Sequence, residues 1–287
     1  MQRNGGGHPE ILNLCSFEKE ESVKETLISL RKQFKLGKYR CVTLLGYGEY
    51  QILQVDAPTV PAPEMREAVR WKIKDSIEYP VQSATIDILD IPTKSTSLAN
   101  QKSIFVIAAN NSVIGSRMEL FKEAKIPLEV IDIPELAQRN IAMLYEEPDR
   151  GLAMLSFDEY GGMLTFTYEG DLYLSRRIEI TSTQLREAPS DERIQLFERI
   201  SLELQRSLDH FDRQYSAISL SGLLVMPIQD VPDLLNHLVE NLYVAVKEFN
   251  LSDVFRFNNI TELESPDRQA QCLQTIGVSL RTMGDSS

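Results

Sequence analysis

The residues best able to do chemistry are few and poorly placed for it. Three histidines, His8, His210 and His237, stand far apart, and His210 and His237 fall in segments of helical pattern, so structural or solvent roles are expected of them. Cys15, Cys41 and Cys272 are scattered, with no CxxC spacing; this suits inert thiols in a reducing compartment and supplies no zinc site. The carboxylate pairs Asp87 with Asp90 and Glu146 with Glu147 lie on strand or linker segments, with nothing beside them to divide the roles of general acid and base. No GxSxG, GxxxxGK or strand-borne GxGxxG occurs, and Tyr47-Gly48-Glu49 reads as a turn. Arg176 and Arg177 sit on an alternating strand, where one side chain is expected to face outward in an ordinary surface role. No catalytic residue and no metal site is expected.

The surrounding chain is suited to positioning surfaces. Its 287 residues, 43% hydrophobic and 25% charged, are enough for a substantial core and two domains. The formal net charge of -12 argues against unassisted binding to nucleic acid or to an anionic membrane, since both require a basic face. No apolar run reaches the ~18 residues of a membrane span, and the N-terminal stretch lacks the apolar segment of a secretory signal, so a cytoplasmic location is expected.

Residues 10–17 read as a strand entering the fold without a partner before it, as though something preceded it upstream; the Gly5-Gly6-Gly7 tract ahead of it reads as a flexible lead. Helical spacing over 19–35 and a strand over 41–45 follow. A strand over 50–56, a helix with the apolar stripe Met65, Val69, Ile73 and Ile77, a strand over 84–91 and another over 103–109 form a small β-α-β-β unit, with a polar loop at 93–101. Trp71 lies off that stripe. Asn110 and Asn111 are suited to cap a helix through Ala124, ahead of a strand over 127–133 and a helix over 134–145. The charged segment 146–151 resembles an interdomain linker. Beyond it, strands over 152–157, 163–168 and 172–178 form an antiparallel meander. A long helix from Ser190, a strand over 216–220 leading to Gly222, a helix from Pro232 through Leu242, a further strand and a helix over 268–283 complete the chain.

Four groups of phrases, in this order, carry a family resemblance. They are the helix over 67–80 with the strand containing Asp87; the stretch 105–114 continued by 123–133; the strand 170–177; and residues 204–211 with 218–222 and 276–281. Together they resemble the PilM, MshI and GspL cytoplasmic-domain group of type IV pilus and secretion proteins, and most of all its MshI/PilM-type members. The resemblance implies an α/β, actin-like (ribonuclease H-like) two-domain fold with an inserted β-α-β-β subdomain. The first domain would span 1–148, including the insert at about 50–125. The second would span 149–287, its helix at about 268–283 packing back toward the first. It further implies a scaffold of MSHA-like type IV pilus biogenesis, peripheral to the inner membrane through its partners. The implied partner is the cytosolic tail of an inner-membrane assembly protein (PilN- or MshJ-like), docking in the region of 50–110 with Trp71 as a candidate contact, and an assembly ATPase is a second implied partner.

Relatives that hydrolyse ATP hold phosphates between two β-hairpins, each with a D-x-G motif: the carboxylate acts on a metal-bound water and glycine admits phosphate to backbone N–H groups. No such motif precedes residue 10. At the second hairpin Ser156 replaces the aspartate and Asp158 the glycine; a register using Asp158 as the acid puts Tyr160 at the glycine, with Gly161, Gly162 and Thr165 nearby. Ser156 lacks the charge that orders magnesium, and Asp158 would repel phosphate. On the adenosine side, Ser221-Gly222-Leu223-Leu224 retains one glycine where two are usual. Ser156, Asp158, Gly161, Gly162, Thr165 and Gly222 would then line a degenerate nucleotide pocket, and no cofactor is expected. The alternatives are an actin-like ATPase holding ATP and magnesium, whose first phosphate loop would lie upstream of residue 1, and a stand-alone regulatory or filament-forming actin homologue.

Overall fold

A computed structural model describes residues 8–18, 22–92, 102–257 and 260–281. Their described residues form two compact units, one built from 15–92 and 102–134, the other from 8–14 and 135–281.

In the first unit, helix α1 (Val23–Phe34) starts where the Ser22 hydroxyl accepts the Glu25 N–H, and it ends at Lys35 in the left-handed conformation. Strand β1 (Cys41–Leu44) runs into β2 (Tyr50–Asp56) through a turn at 46–49. Helix α2 (Ala62–Ile73), strand β3 (Ala84–Asp90) and strand β4 (Ser103–Asn110) complete an antiparallel sheet of order β2-β4-β3. This is the expected β-α-β-β unit. The stripe predicted for α2 packs on the sheet: Val69 and Ile73 are fully buried against Ile86, Ile104, Val106 and Ala108. Asn110 caps α3 (Asn111–Glu123) by accepting the Ser112 N–H, and α3 leads to β5 (Leu128–Asp132), which pairs parallel with β1. Arg117 of α3 fastens this crossover, donating to Thr43 Oγ1 at 3.0 Å and the Leu44 carbonyl at 2.8 Å.

The second unit is a five-stranded sheet of order β10-β9-β6-β7-β8. Strands β6 (Gly151–Asp158), β7 (Gly161–Tyr168) and β8 (Asp171–Ile178) are the expected meander. Strands β6 and β7 are buried along nearly their whole length because both sheet faces are covered. After the short helix α5 (Ser182–Glu187), the long helix α6 (Ser190–Gln214) buries Phe197, Ile200, Leu204, Leu208 and Phe211, and the Phe211 ring stacks on Phe166 at 4.9 Å. A separate apolar cluster joins α4 (Pro134–Ala142) through Ile141, the sheet through Met154 and Leu224, and α8 (Pro266–Ser279) through Leu273 and Ile276. Strand β9 (Leu220–Val225), helix α7 (Asp233–Asn241) and strand β10 (Val246–Glu248) form the parallel edge.

Several expectations change. Residues 10–17 form no strand: Glu10 makes a single bridge with Arg256, and while Ile11 is buried, Leu12 and Phe17 are exposed, so no alternating face exists to pair. The segment 146–151 lies within the second unit, held by the Gly170 N–H donating to Glu146 at 2.9 Å and the Gly151 N–H donating to Ser219 O at 3.0 Å. Arg176 and Arg177 are both exposed on the edge strand β8, so each side chain reaches solvent rather than one alone. The Gly5-Gly6-Gly7 tract, the loop 93–101 and the end of the last helix at 283 lie outside the described residues.

Candidate functional site

The β6–β7 hairpin gathers most of the residues singled out from the sequence, yet gives each a structural partner. Ser156 is buried and its hydroxyl donates to Gln138 Oε1 at 2.6 Å. Gln138 Nε2 donates in turn to Thr165 Oγ1 at 2.9 Å and to the Met154 carbonyl at 2.9 Å. Thr165 is fully buried, so both hydroxyls serve a polar core tie between α4 and the two strands.

Asp158 ends β6 and folds its carboxylate over the turn. One oxygen, Oδ1, accepts the N–H of Tyr160 at 2.8 Å and that of Gly161 at 3.0 Å, with the Arg177 Nη2 3.9 Å away. Gly161 has φ +142, and a side chain there would meet the Ile178 carbonyl at 2.7 Å. A Cβ on Gly162 would lie 2.7 Å from the Phe157 ring. The glycine pair is thus required by the turn and by ring packing.

Gly222 stands elsewhere than expected. It lies inside β9, where a Cβ would meet the Ala245 carbonyl at 2.4 Å, so it serves the close approach of the neighbouring chain. The apolar run from Leu223 to Val225 extends the strand past the glycine, and the turn that follows carries Pro227, Ile228 and Gln229. A cavity of about 400 Å³ opens between this turn, the hairpin and α8. Its charged lining is Asp158, Glu159 and Asp267 against the single cation Arg186. Carboxylates thus outnumber cations on its lining.

The remaining candidates do not converge. Asp87 pairs with Arg66 at 3.6 Å, Asp90 with Lys102 at 2.9 Å and Glu147 with Arg150 at 3.1 Å. The His237 ring packs 5.6 Å from Phe197. His210 has its pKa lowered, mainly by burial and then by Arg176. Burial raises the Cys41 and Cys272 thiols. Among the described residues no group of three or more His, Cys, Asp or Glu is placed to hold a metal, and no helix is long and apolar enough to cross a membrane. Trp71 projects from α2 at 63% exposure, with Lys74 Nζ 5.5 Å from its ring. Gln138 is the residue that sequence reasoning missed; its one signal was an amide in the short helix α4, which also carries Asn140.

No family model and no curated protein matches the sequence. Among solved structures the chain is similar to the PilM-PilN type IV pilus biogenesis complex, at 19% identity and a TM-score of 0.65 over 94% of this chain and 90% of that one. It is also similar to the cytoplasmic domain of EpsL, an inner-membrane component of the Vibrio cholerae type II secretion system, at 9% identity and a TM-score of 0.47 over 91% and 82%. A third is a Bacteroides thetaiotaomicron protein with an actin-like ATPase fold, at 10% identity and a TM-score of 0.45 over 88% and 81%. The fold of this chain is the actin-like ATPase fold.

Proposed function

We propose that this protein is a non-enzymatic scaffold of a type IV pilus assembly machine, of the MSHA-like kind, that binds the short cytosolic tail of an inner-membrane partner. The observation that carries this reading is the likeness to the PilM-PilN complex across nine-tenths or more of both chains. The hairpin supports it: each residue that would serve a nucleotide is engaged in internal structure, and the cavity beside it carries more carboxylates than cations. The protein acts at the cytoplasmic side of the inner membrane, held there by its partner, and an assembly ATPase is a second partner.

The docking region is the inserted unit at 50–110. Its sheet has the outer edges of β2 and β3 open to an extended peptide, and Trp71 on α2 of the same unit offers a broad exposed aromatic surface. Isothermal titration with the cytosolic tail of a PilN- or MshJ-like protein tests this. Saturable binding in the micromolar range is expected, and no heat at high micromolar peptide overturns it. The rival reading, a nucleotide-binding ATPase, draws on the roughly 400 Å³ cavity. A melting-temperature rise with ATP and magnesium would favour it over the scaffold reading.

A further inference from the structure

We infer that Asp158 is a built-in anion: its carboxylate occupies the hairpin turn's N–H groups and thereby closes the adjoining cavity to external phosphates. Two backbone donors, Tyr160 and Gly161, and the Arg177 guanidinium converge on the single oxygen Oδ1. Successive N–H groups aimed at one point form an anion-holding concavity, and a carboxylate accepting them makes charge-assisted bonds stronger than neutral ones. The same Asp158 also lines the cavity of about 400 Å³, together with Glu159 and Asp267. One side chain therefore uses the donors an incoming phosphate would need and adds a repelling charge at the same place. The inference deepens the non-enzymatic reading of this cavity and is independent of where a peptide docks, so failure of peptide binding leaves it untouched.

The full-length protein is tested with inorganic pyrophosphate as the probe, by calorimetry. Wild type binds none. Asp158→Ala removes the carboxylate acceptor from both N–H groups together with its charge, and it binds pyrophosphate measurably, at least about tenfold above the detection limit at which wild type shows no binding. Asp158→Asn loses the charge but keeps an oxygen acceptor on the turn, and it stays close to wild type. Amide hydrogen exchange supplies a readout that does not depend on the alanine variant folding: the Tyr160 and Gly161 amides are protected in wild type and in Asp158→Asn. Pyrophosphate binding by wild type, an alanine variant that folds and binds no better, or unprotected Tyr160 and Gly161 amides in wild type would each overturn the inference.

Discussion

Gln138 and Ser156 meet inside the second unit, the serine hydroxyl donating to the amide oxygen at 2.6 Å while the same amide's nitrogen reaches Thr165 and the Met154 carbonyl. A buried polar group that loses its partner costs about 1–3 kcal/mol. Gln138→Ala strands the Ser156 and Thr165 hydroxyls and leaves a cavity, so a loss of about 2–4 kcal/mol is expected in urea denaturation. Ser156→Ala removes one bond and costs about 1–2 kcal/mol. The double variant should cost less than the sum, because both changes act on one network.

Glycines at three sites should respond with opposite signs. A Cβ on Gly277 in α8 would lie 2.1 Å from the Ala137 carbonyl of α4, and one on Gly222 would lie 2.4 Å from that of Ala245. Backbone cannot yield as a flexible side chain does, so Gly277→Ala and Gly222→Ala should each destabilise by about 3 kcal/mol or prevent folding. Gly115 sits in the exposed interior of α3 with open space around it. Gly115→Ala should stabilise by about 0.5–1 kcal/mol, seen as a raised melting temperature.

Arg117 and Glu49 form a two-pronged pair, at 3.0 and 2.8 Å, and the same Glu49 carboxylate accepts the Gly46 N–H at 2.7 Å. The pair is mostly shielded and clamps the turn between β1 and β2. A double-mutant cycle with Glu49→Gln and Arg117→Lys should give a coupling of about 1–2 kcal/mol, against about 0–0.5 for the exposed Lys122–Glu119 pair. Equal values would show that the clamp adds nothing.

Alkaline pH should weaken the fold through buried phenols. Burial raises the pKa of Tyr145, helped by Asp253, and that of Tyr173, helped by Asp171; the Tyr145 hydroxyl also donates to the Asn250 carbonyl. A folded pKa above the unfolded value of about 10 means this contribution is complete below pH 10 and is lost as pH rises beyond it. Tyr145→Phe should flatten the decline of melting temperature between pH 9 and 11. An unchanged slope would contradict the assignment.

Trp71 is the single tryptophan and stands 63% exposed. Its emission should resemble a solvated indole and shift to the blue when the inner-membrane tail binds. Trp71→Ala should weaken that binding by about 1–2 kcal/mol while changing stability by less than about 0.5 kcal/mol. A peptide that binds without moving the emission would place the docking surface elsewhere.

Local chemistry was legible in the sequence wherever one element decides its own form. The meander strands, the apolar stripe of α6 and the Asn110 cap follow from period, turn residues and capping groups that act over a few positions. The departure of Ser156 and Asp158 from a phosphate-binding pattern was equally plain, since it concerns residue type alone. What the altered residues do instead was settled by tertiary structure. The sequence put Gly222 at the end of a strand, but the backbone passing at Ala245 places it inside β9. The amide of Gln138 gains its meaning only when α4 is laid across β6 and β7. Asp158 becomes an internal anion only because the hairpin folds two N–H groups onto it. Hydrogen bonds and close approaches join residues distant in the chain or turned back by a hairpin, and spacing along a sequence carries no record of that geometry.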